Sequence, residues 1–262
     1  MRRYLGLYLW FWRRRTRIWM EYPANFVLFL VSTVILQSAG LLTVWIVMRR
    51  IPSIHGWTFD QVVLIYGLTL LARSLSSLTT SNLWPLGHVY IQPGDFDRFL
   101  LRPVDPLFAV LVQGTGYNGL GDLLMGAVLV GHAIVVLHLQ LTPLLVLYLL
   151  LAVVSGGGIF AGLVLIAAVT VFWLTDAAPL LGAVNELQQF ARFPLTIYNR
   201  GIQALLTWLV PYGFASYYPA GYLLHRGAGV LAWAAPVMAA ALLLLGYRFW
   251  NIGLRHYTST GS

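Results

Sequence analysis

Long apolar runs recur along this chain with almost no charge inside them, and that pattern decides which solvent it folds in. They cover approximately Ala24 to Met48, Gln61 to Leu83, Leu107 to Leu137, Pro143 to Leu174, Pro179 to Leu195 and Val230 to Trp250. About twenty apolar residues in helical form span the hydrocarbon core of a bilayer. Charged residues make up 9% of the 262, and mean hydropathy is +0.77. Soluble domains carry about a quarter charged residues. The runs are continuous rather than alternating, which argues against a transmembrane barrel. The expected fold is an all-α integral membrane protein of six transmembrane helices in one domain, residues 1–262.

Two segments complete this layout. Residues 1–23 mix Trp10, Phe11, Trp12 and Trp19 with six arginines. That composition suits a helix lying in the headgroup region. The apolar run that follows is too long for a signal peptide, and no small-residue cleavage site is evident. Near the other end, residues 200–224 are interrupted by Pro211 and Pro219. Helix interiors accept such breaks poorly, so residues 197–226 read as short re-entrant helices on the outer side. A seventh span is the alternative.

Arginine distribution orients the bundle. With six spans and an internal N-terminus, ten arginines lie inside: Arg2, Arg3, Arg13, Arg14, Arg15, Arg17, Arg98, Arg102, Arg248 and Arg255. Five lie outside: Arg49, Arg50, Arg192, Arg200 and Arg226. The excess on one side matches the positive-inside rule and places both termini in the cytoplasm. A net charge of +8 is explained by topology, so no nucleic-acid partner is expected.

There is no cysteine, and all 16 basic residues are arginine. Disulfides and thiolate metal sites are thereby excluded. A P-loop needs a lysine on the phosphates, so the chain carries no standard ATPase motor. Neither HExxH nor GxSxG occurs. His132 and His138 are six residues apart and point to different helix faces. No enzymatic role, metal or cofactor is expected in this chain.

The polar loop 85–106 concentrates Asp95, Asp97, Arg98, Arg102 and Asp105, five of 24 charged residues. Its core reads PGDFDRFLLRPVDP. Asp95 and Asp97 near the start of a helical segment, with Arg102 near its end, suit the macrodipole. Phe96, Phe99 and Leu100 follow i, i+3, i+4 and form one apolar face. Such a short amphipathic helix is suited to docking a soluble partner; the plain alternative is an interfacial helix sealing the bundle.

Inside the spans, Arg73 and Asp122 lie at comparable depths, roughly 15 and 22 Å from the cytoplasmic end at about 1.5 Å per residue. A lone charge at mid-bilayer costs about 2.5–3.5 kcal/mol on insertion scales. The two are therefore expected to face each other, as a structural pair or a substrate contact. Span five carries Asn185, Glu186, Gln188, Gln189 and Arg192. Asn185, Gln188 and Arg192 share a helix face, which suits a subunit contact or the lining of a polar path. Gly156, Gly157, Gly158 and Gly162 permit close helix approach or a bend. Trp208, Tyr212, Phe214, Tyr217, Tyr218 and Tyr222 suit an interface belt or a lid over an exit path.

Three stretches carry a family resemblance: the Arg/aromatic N-terminus running into EYPANF (Glu21 to Phe26), GDFDRFLLRPVDPLF (Gly94 to Phe108), and FARFPLTIYNRGIQALLTWLVPYGFASYYPA (Phe190 to Ala220). The chain resembles the membrane subunit of type-2 ABC exporters, in the branch of short six-span permeases encoded apart from their ATPase. The resemblance covers nearly the whole chain. It implies an interfacial elbow helix (1–23) and a coupling helix between spans two and three. ATPase docking would fall on Pro93, Gly94, Asp95, Phe96, Asp97, Arg98, Phe99, Leu100, Leu101 and Arg102. It further implies partner ATPase subunits holding ATP and Mg, a second permease chain, identical or similar, and location in the bacterial cytoplasmic membrane. Gln92-Pro93 stands where a basic residue is expected before the glycine. The rival reading is a secondary transporter or channel. Such folds commonly show inverted repeats, and no repeat is visible. The apolar lining suggests an amphipathic cargo.

Overall fold

The computed structural model describes residues 2–21, 23–51, 53–114, 119–174 and 176–258. Tyr22 of the EYPANF stretch and residues 115–118 of the expected third span lie outside them. The described residues are mostly helical, with no strand and one isolated bridging pair, Ile54–Trp57. In order, the helices are α1 (Arg2–Glu21), α2 (Pro23–Arg50), α3 (Phe59–Thr80), α4 (Asp97–Leu100), α5 (Pro106–Gln113) and α6 (Leu120–Val136). They continue with α7 (Pro143–Val169), α8 (Ala178–Leu187), α9 (Arg200–Ala204), α10 (Tyr217–Leu223) and α11 (Ala235–His256).

Among the described residues, four helical segments are long and apolar enough to cross a membrane: Pro23–Arg50, Phe59–Ile91, Pro143–Phe172 and Ala235–His256. Leu120–Val136 is a shorter apolar helix. Several ends differ from the sequence expectation. α3 runs on through a 3-10 turn and a stretch of wider π-helix to Ile91, so the first residues of the 85–106 loop are helical. In the expected third span the described helices are α5 and α6. The expected fifth span, Pro179–Leu195, is α8 followed by 3-10 turns to Arg192. It stops there because Pro194 forces Phe193 into extended backbone (φ −121°, ψ 155°). The last helix begins five residues later than expected. Gly227 and Gly229 take left-handed turns (φ 72° and 53°), and Pro236 starts α11.

α7 is the centre of the bundle, packed between α3 on one side and α11 on the other. A bilayer does not drive apolar helices together as water does, because lipid tails are as apolar as leucine; close approach through small residues does so instead. The glycines of α7 provide it. A Cβ on Gly156 or Gly157 would sit 2.7 Å from Ala72 Cβ or 2.8 Å from Leu75 Cβ of α3. On Gly158 or Gly162 it would lie 3.0 Å from Ala239 Cβ or 2.8 Å from Leu242 Cβ of α11. The run therefore serves packing on two fronts. α2 lies outside this core and exposes Val27, Leu28, Val31, Ile35 and Leu36 along its length.

The belt reading of the aromatics does not fit Tyr212 and Phe214. Trp208 is exposed, whereas Tyr212 and Phe214 are fully buried, with Tyr212 stacked on Phe160 of α7 at 4.7 Å. Pro211 breaks the segment and turns these rings inward.

Replacing Gly162 with leucine should separate α7 from α11. A cost of about 1–3 kcal/mol is expected from overpacking, read as a lower thermal midpoint in detergent. Gly131→Ala, where a Cβ meets nothing within 4 Å, should leave the midpoint unchanged.

Candidate functional site

Two groups of residues stand out, one inside the bundle and one at the end that carries the 85–106 loop. Inside, α3 brings Arg73 against Asp122 at the start of α6. Arg73 Nε donates to Asp122 Oδ2 at 2.9 Å, and Nη2 donates to Oδ1 at 2.8 Å. This two-pronged geometry is the strongest that arginine and carboxylate form. The pair does not stand alone. Gln37 of α2, itself buried, donates from Nε2 to Asp122 Oδ1 at 2.7 Å. The Tyr66 hydroxyl on α3 donates to Gln37 Oε1 at 3.0 Å. Arg192 Nη1 donates to that hydroxyl at 3.2 Å, and its guanidinium lies 5.1 Å from the Tyr66 ring centroid.

A continuous polar ladder thus joins α2, α3, α6 and the turn after α8. Arg73 and Tyr66 lie seven residues apart on α3, so the ladder covers about 10 Å of its length at about 1.5 Å per residue. The remaining polar residues of the fifth segment do not join it. The α-helix tightens to 3-10 geometry at Gln188, which rotates Arg192 out of the face expected for Asn185 and Gln188. Gln188 is buried, Asn185 and Gln189 are half-buried, and Glu186 is exposed.

Gln37 and Tyr66 were not singled out in the sequence. The available signal for Gln37 was a lone amide amid an apolar span. Tyr66 gave no signal, because a span tyrosine is most often packing.

At the loop, Pro93 and Gly94 make a tight turn: Gly94 N donates to Ile91 O at 3.1 Å, and Gly94 takes φ +80°. Only glycine adopts that conformation without strain, so the turn sets the entry of the loop despite Gln92-Pro93. The helix that follows is one turn, Asp97–Leu100, not the longer Pro93–Arg102 helix expected. Phe96 and Phe99 are fully buried. Phe96 packs on Phe172 (5.7 Å), Trp250 (6.1 Å) and Tyr257 (5.0 Å), and Phe99 packs edge-on to Tyr90 at 5.1 Å. Leu100 does not share that face. The two rings fill the space, the turn ends, and Leu100 overhangs together with Leu101, which is 86% exposed.

Charge arrangement follows from this clamp. Arg98 lies over the Tyr90 and Phe99 rings and forms a long pair with Asp95 at 4.0 Å; both carry well-exposed side chains. Arg102 stacks on Phe99 at 5.5 Å, and the Gln113 amide oxygen accepts from its guanidinium at 2.5 and 2.7 Å. Asp105 caps α5 through Phe108 N (2.9 Å) and accepts from the Tyr247 hydroxyl of α11 (3.0 Å). The Tyr257 hydroxyl is buried near Asp97. Burial first, then that carboxylate, raises its pKa to about 12, so it is neutral at physiological pH.

The loop is clamped to the ends of two long helices, at one end of a bundle crossed by a polar ladder. The model of a family described as ABC-2 family transporter protein matches residues 18–261. The chain belongs to that family. Comparison with curated proteins and with solved structures gave no match. Membership makes this a multi-pass membrane protein, the permease subunit of an ABC transporter, of a kind that works in a lipid bilayer with ATPase partners. Among the described residues of this ABC-2 protein, no group of three or more His, Cys, Asp or Glu is placed to hold a metal ion.

Exchanging the charges of the ladder tests its core. Asp122→Arg or Arg73→Asp alone leaves like charges buried together, and breaking a buried pair costs about 3–5 kcal/mol. Each single variant should lose most folded protein in fluorescence-detected size exclusion. The Arg73→Asp/Asp122→Arg double variant should recover much of it. A double variant no better than the singles would show that the pair does not set assembly.

Proposed function

We propose that this chain is the membrane-spanning half of an ATP-driven exporter, docking a separate ATPase through the loop between α3 and α5. The observation that carries this reading is the division of labour within that loop. Phe96 and Phe99 anchor it to Phe172 at the end of α7 and to Trp250 of α11, while Leu100, Leu101, Arg98 and Asp95 face outward. Two exposed leucines flanked by opposite charges form a small apolar contact with a polar rim, the composition that docking surfaces favour. Whatever pushes on the outward side moves the buried side, and with it the ends of two long helices.

In this reading the loop lies in the cytoplasm with both termini, and α1 rests in the headgroup region. Six membrane crossings are made by α2, α3, α5 with α6, α7, the short α8 segment and α11. The segment from α9 to α10 forms re-entrant turns on the outer side. Six crossings enclose too little space for a path, so two permease chains, identical or similar, pair around it in the bacterial cytoplasmic membrane. ATP and Mg bind in the partner ATPases; this chain supplies no nucleotide site, having no lysine for a P-loop. ATP-driven closure of the ATPases moves the loops and alternates the access of the path. The secondary-transporter alternative offers no account of a rigidly anchored loop with an exposed Leu-Leu pair.

Leu101→Asp separates docking from folding. Leu101 touches almost nothing in the chain, so the fold should be unchanged within about 0.5 kcal/mol. Co-purification of the neighbouring P-loop ATPase should fall about tenfold or more, as for a central contact residue. Asp97→Ala/Arg98→Ala should weaken it less. Phe99→Ala should instead lower stability by about 3–5 kcal/mol. Leu101→Asp protein that retains full ATPase binding and activity would remove the docking role.

A further inference from the structure

α1 meets the bundle across a crevice of about 250 Å³. Leu7 and Phe11 line it from α1, Phe108, Ala109 and Val112 line it from α5, and Arg102 stands in the wall between them. Leu7 and Phe11 are one helical turn apart, as are Phe108 and Val112, so two apolar faces meet across the gap. Pockets that enclose a whole drug-sized molecule run from about 300 to 1,000 Å³. This one suits a length of chain.

Arg102 is the half-buried cation of that crevice. Its guanidinium lies on the Phe99 ring and gives two N–H groups to the Gln113 amide oxygen. A guanidinium has five such donors, so Gln113 leaves the others to a further acceptor. The carboxylates of the loop are engaged elsewhere. Asp95 pairs with Arg98, Asp105 accepts from Phe108 N and the Tyr247 hydroxyl, and Asp97 lies beside Tyr257. Among the described residues, Arg102 makes no salt bridge. The surrounding charge is positive as well. α1 holds six arginines and one glutamate. Its exposed Arg14 follows Phe11 by three residues, on the same side of the helix, with its guanidinium over the Trp10 ring at 5.7 Å. An apolar slot with a cation in its wall, beside a basic interfacial helix, has the chemistry that holds an anionic lipid.

We propose that the crevice between α1 and α5 holds one anionic phospholipid from the leaflet on the loop side, its phosphate on Arg102 and one acyl chain between Phe11 and Phe108. Free phosphate would leave the apolar faces unfilled, and a zwitterionic lipid would bring a second cation toward Arg102 and α1. The lipid ties α1 to the loop that Phe99 anchors. This inference rests on the permease reading only for the place of α1 in the headgroup region; ATPase docking has no part in it.

The test uses the full chain without ATPase, delipidated in a neutral detergent. It is titrated with phosphatidylglycerol or with phosphatidylcholine of the same chains, and bound lipid is counted by native mass spectrometry. Failure of ATPase docking would leave this measurement intact. The first phosphatidylglycerol should bind about tenfold more tightly than phosphatidylcholine. Arg102→Gln should remove that preference, the scale of a lost charge-assisted hydrogen bond, and Arg102→Lys should restore part of it. Arg98→Gln removes the same charge outside the crevice and should leave the preference in place. Leu7→Trp, which fills the slot from α1, should weaken the first phosphatidylglycerol similarly, and it keeps the test valid if Arg102→Gln does not fold. Millimolar inorganic phosphate should not displace the lipid. Equal binding of the two lipids, equal losses in Arg98→Gln and Arg102→Gln, or undiminished binding in Arg102→Gln and Leu7→Trp overturns the site. Displacement by inorganic phosphate overturns the lipid assignment in favour of a bare anion site.

Discussion

Apolar helices in a bilayer are already in a suitable solvent, so something other than burial must hold them in one arrangement. The Asp122 carboxylate is the joint on which this bundle depends. It accepts from Arg73 on α3 and Gln37 on α2 while itself belonging to α6, so three helices meet at one group of two oxygens. Unpaired, Asp122 or Arg73 would be a charge stranded among hydrocarbon; together they fix the rotation and height of three helices at once. The glycine face of α7 then adds α11 to the assembly by contact alone.

The two devices divide the molecule mechanically. Near α7 the helices touch at backbone distance and have little room to slide. Around the ladder the contacts are polar, directional and shared, and a fully satisfied network of that kind holds one arrangement. The loop is joined to the α7 and α11 side: Phe96 packs against Phe172 and Trp250, and Asp105 accepts from Tyr247.

Much of this was legible in the residues. The pairing of Arg73 with Asp122 followed from the cost of leaving either alone. The spacing of Phe96 and Phe99 announced a shared apolar face but not that it turns into the bundle instead of toward a docking partner, and the glycine run announced a close helix contact. Leu100 departed because one turn of helix has no continuous face; two rings filled the slot before the leucine reached it. The polar stripe of the fifth segment departed because a 3-10 turn changes the angle per residue, which residue identity at Asn185, Gln188 and Arg192 does not reveal. Gln37 and Tyr66 stayed hidden for a different reason. Their importance lies in whom they touch, and both partners are on other helices.

The sequence by itself determined the solvent, the helical class and the absence of a lysine for a P-loop. Each of these is a property of composition or of local spacing. Only the tertiary structure decided that the Asp122 carboxylate is shared by two donors, that Arg192 reaches the Tyr66 hydroxyl at the end of the ladder, and that Leu101 faces outward while Phe99 faces in. These depend on the relative rotation and height of helices that are distant in the chain. Many settings bury the same apolar surface equally well in lipid, and the polar joints and glycine contacts select one.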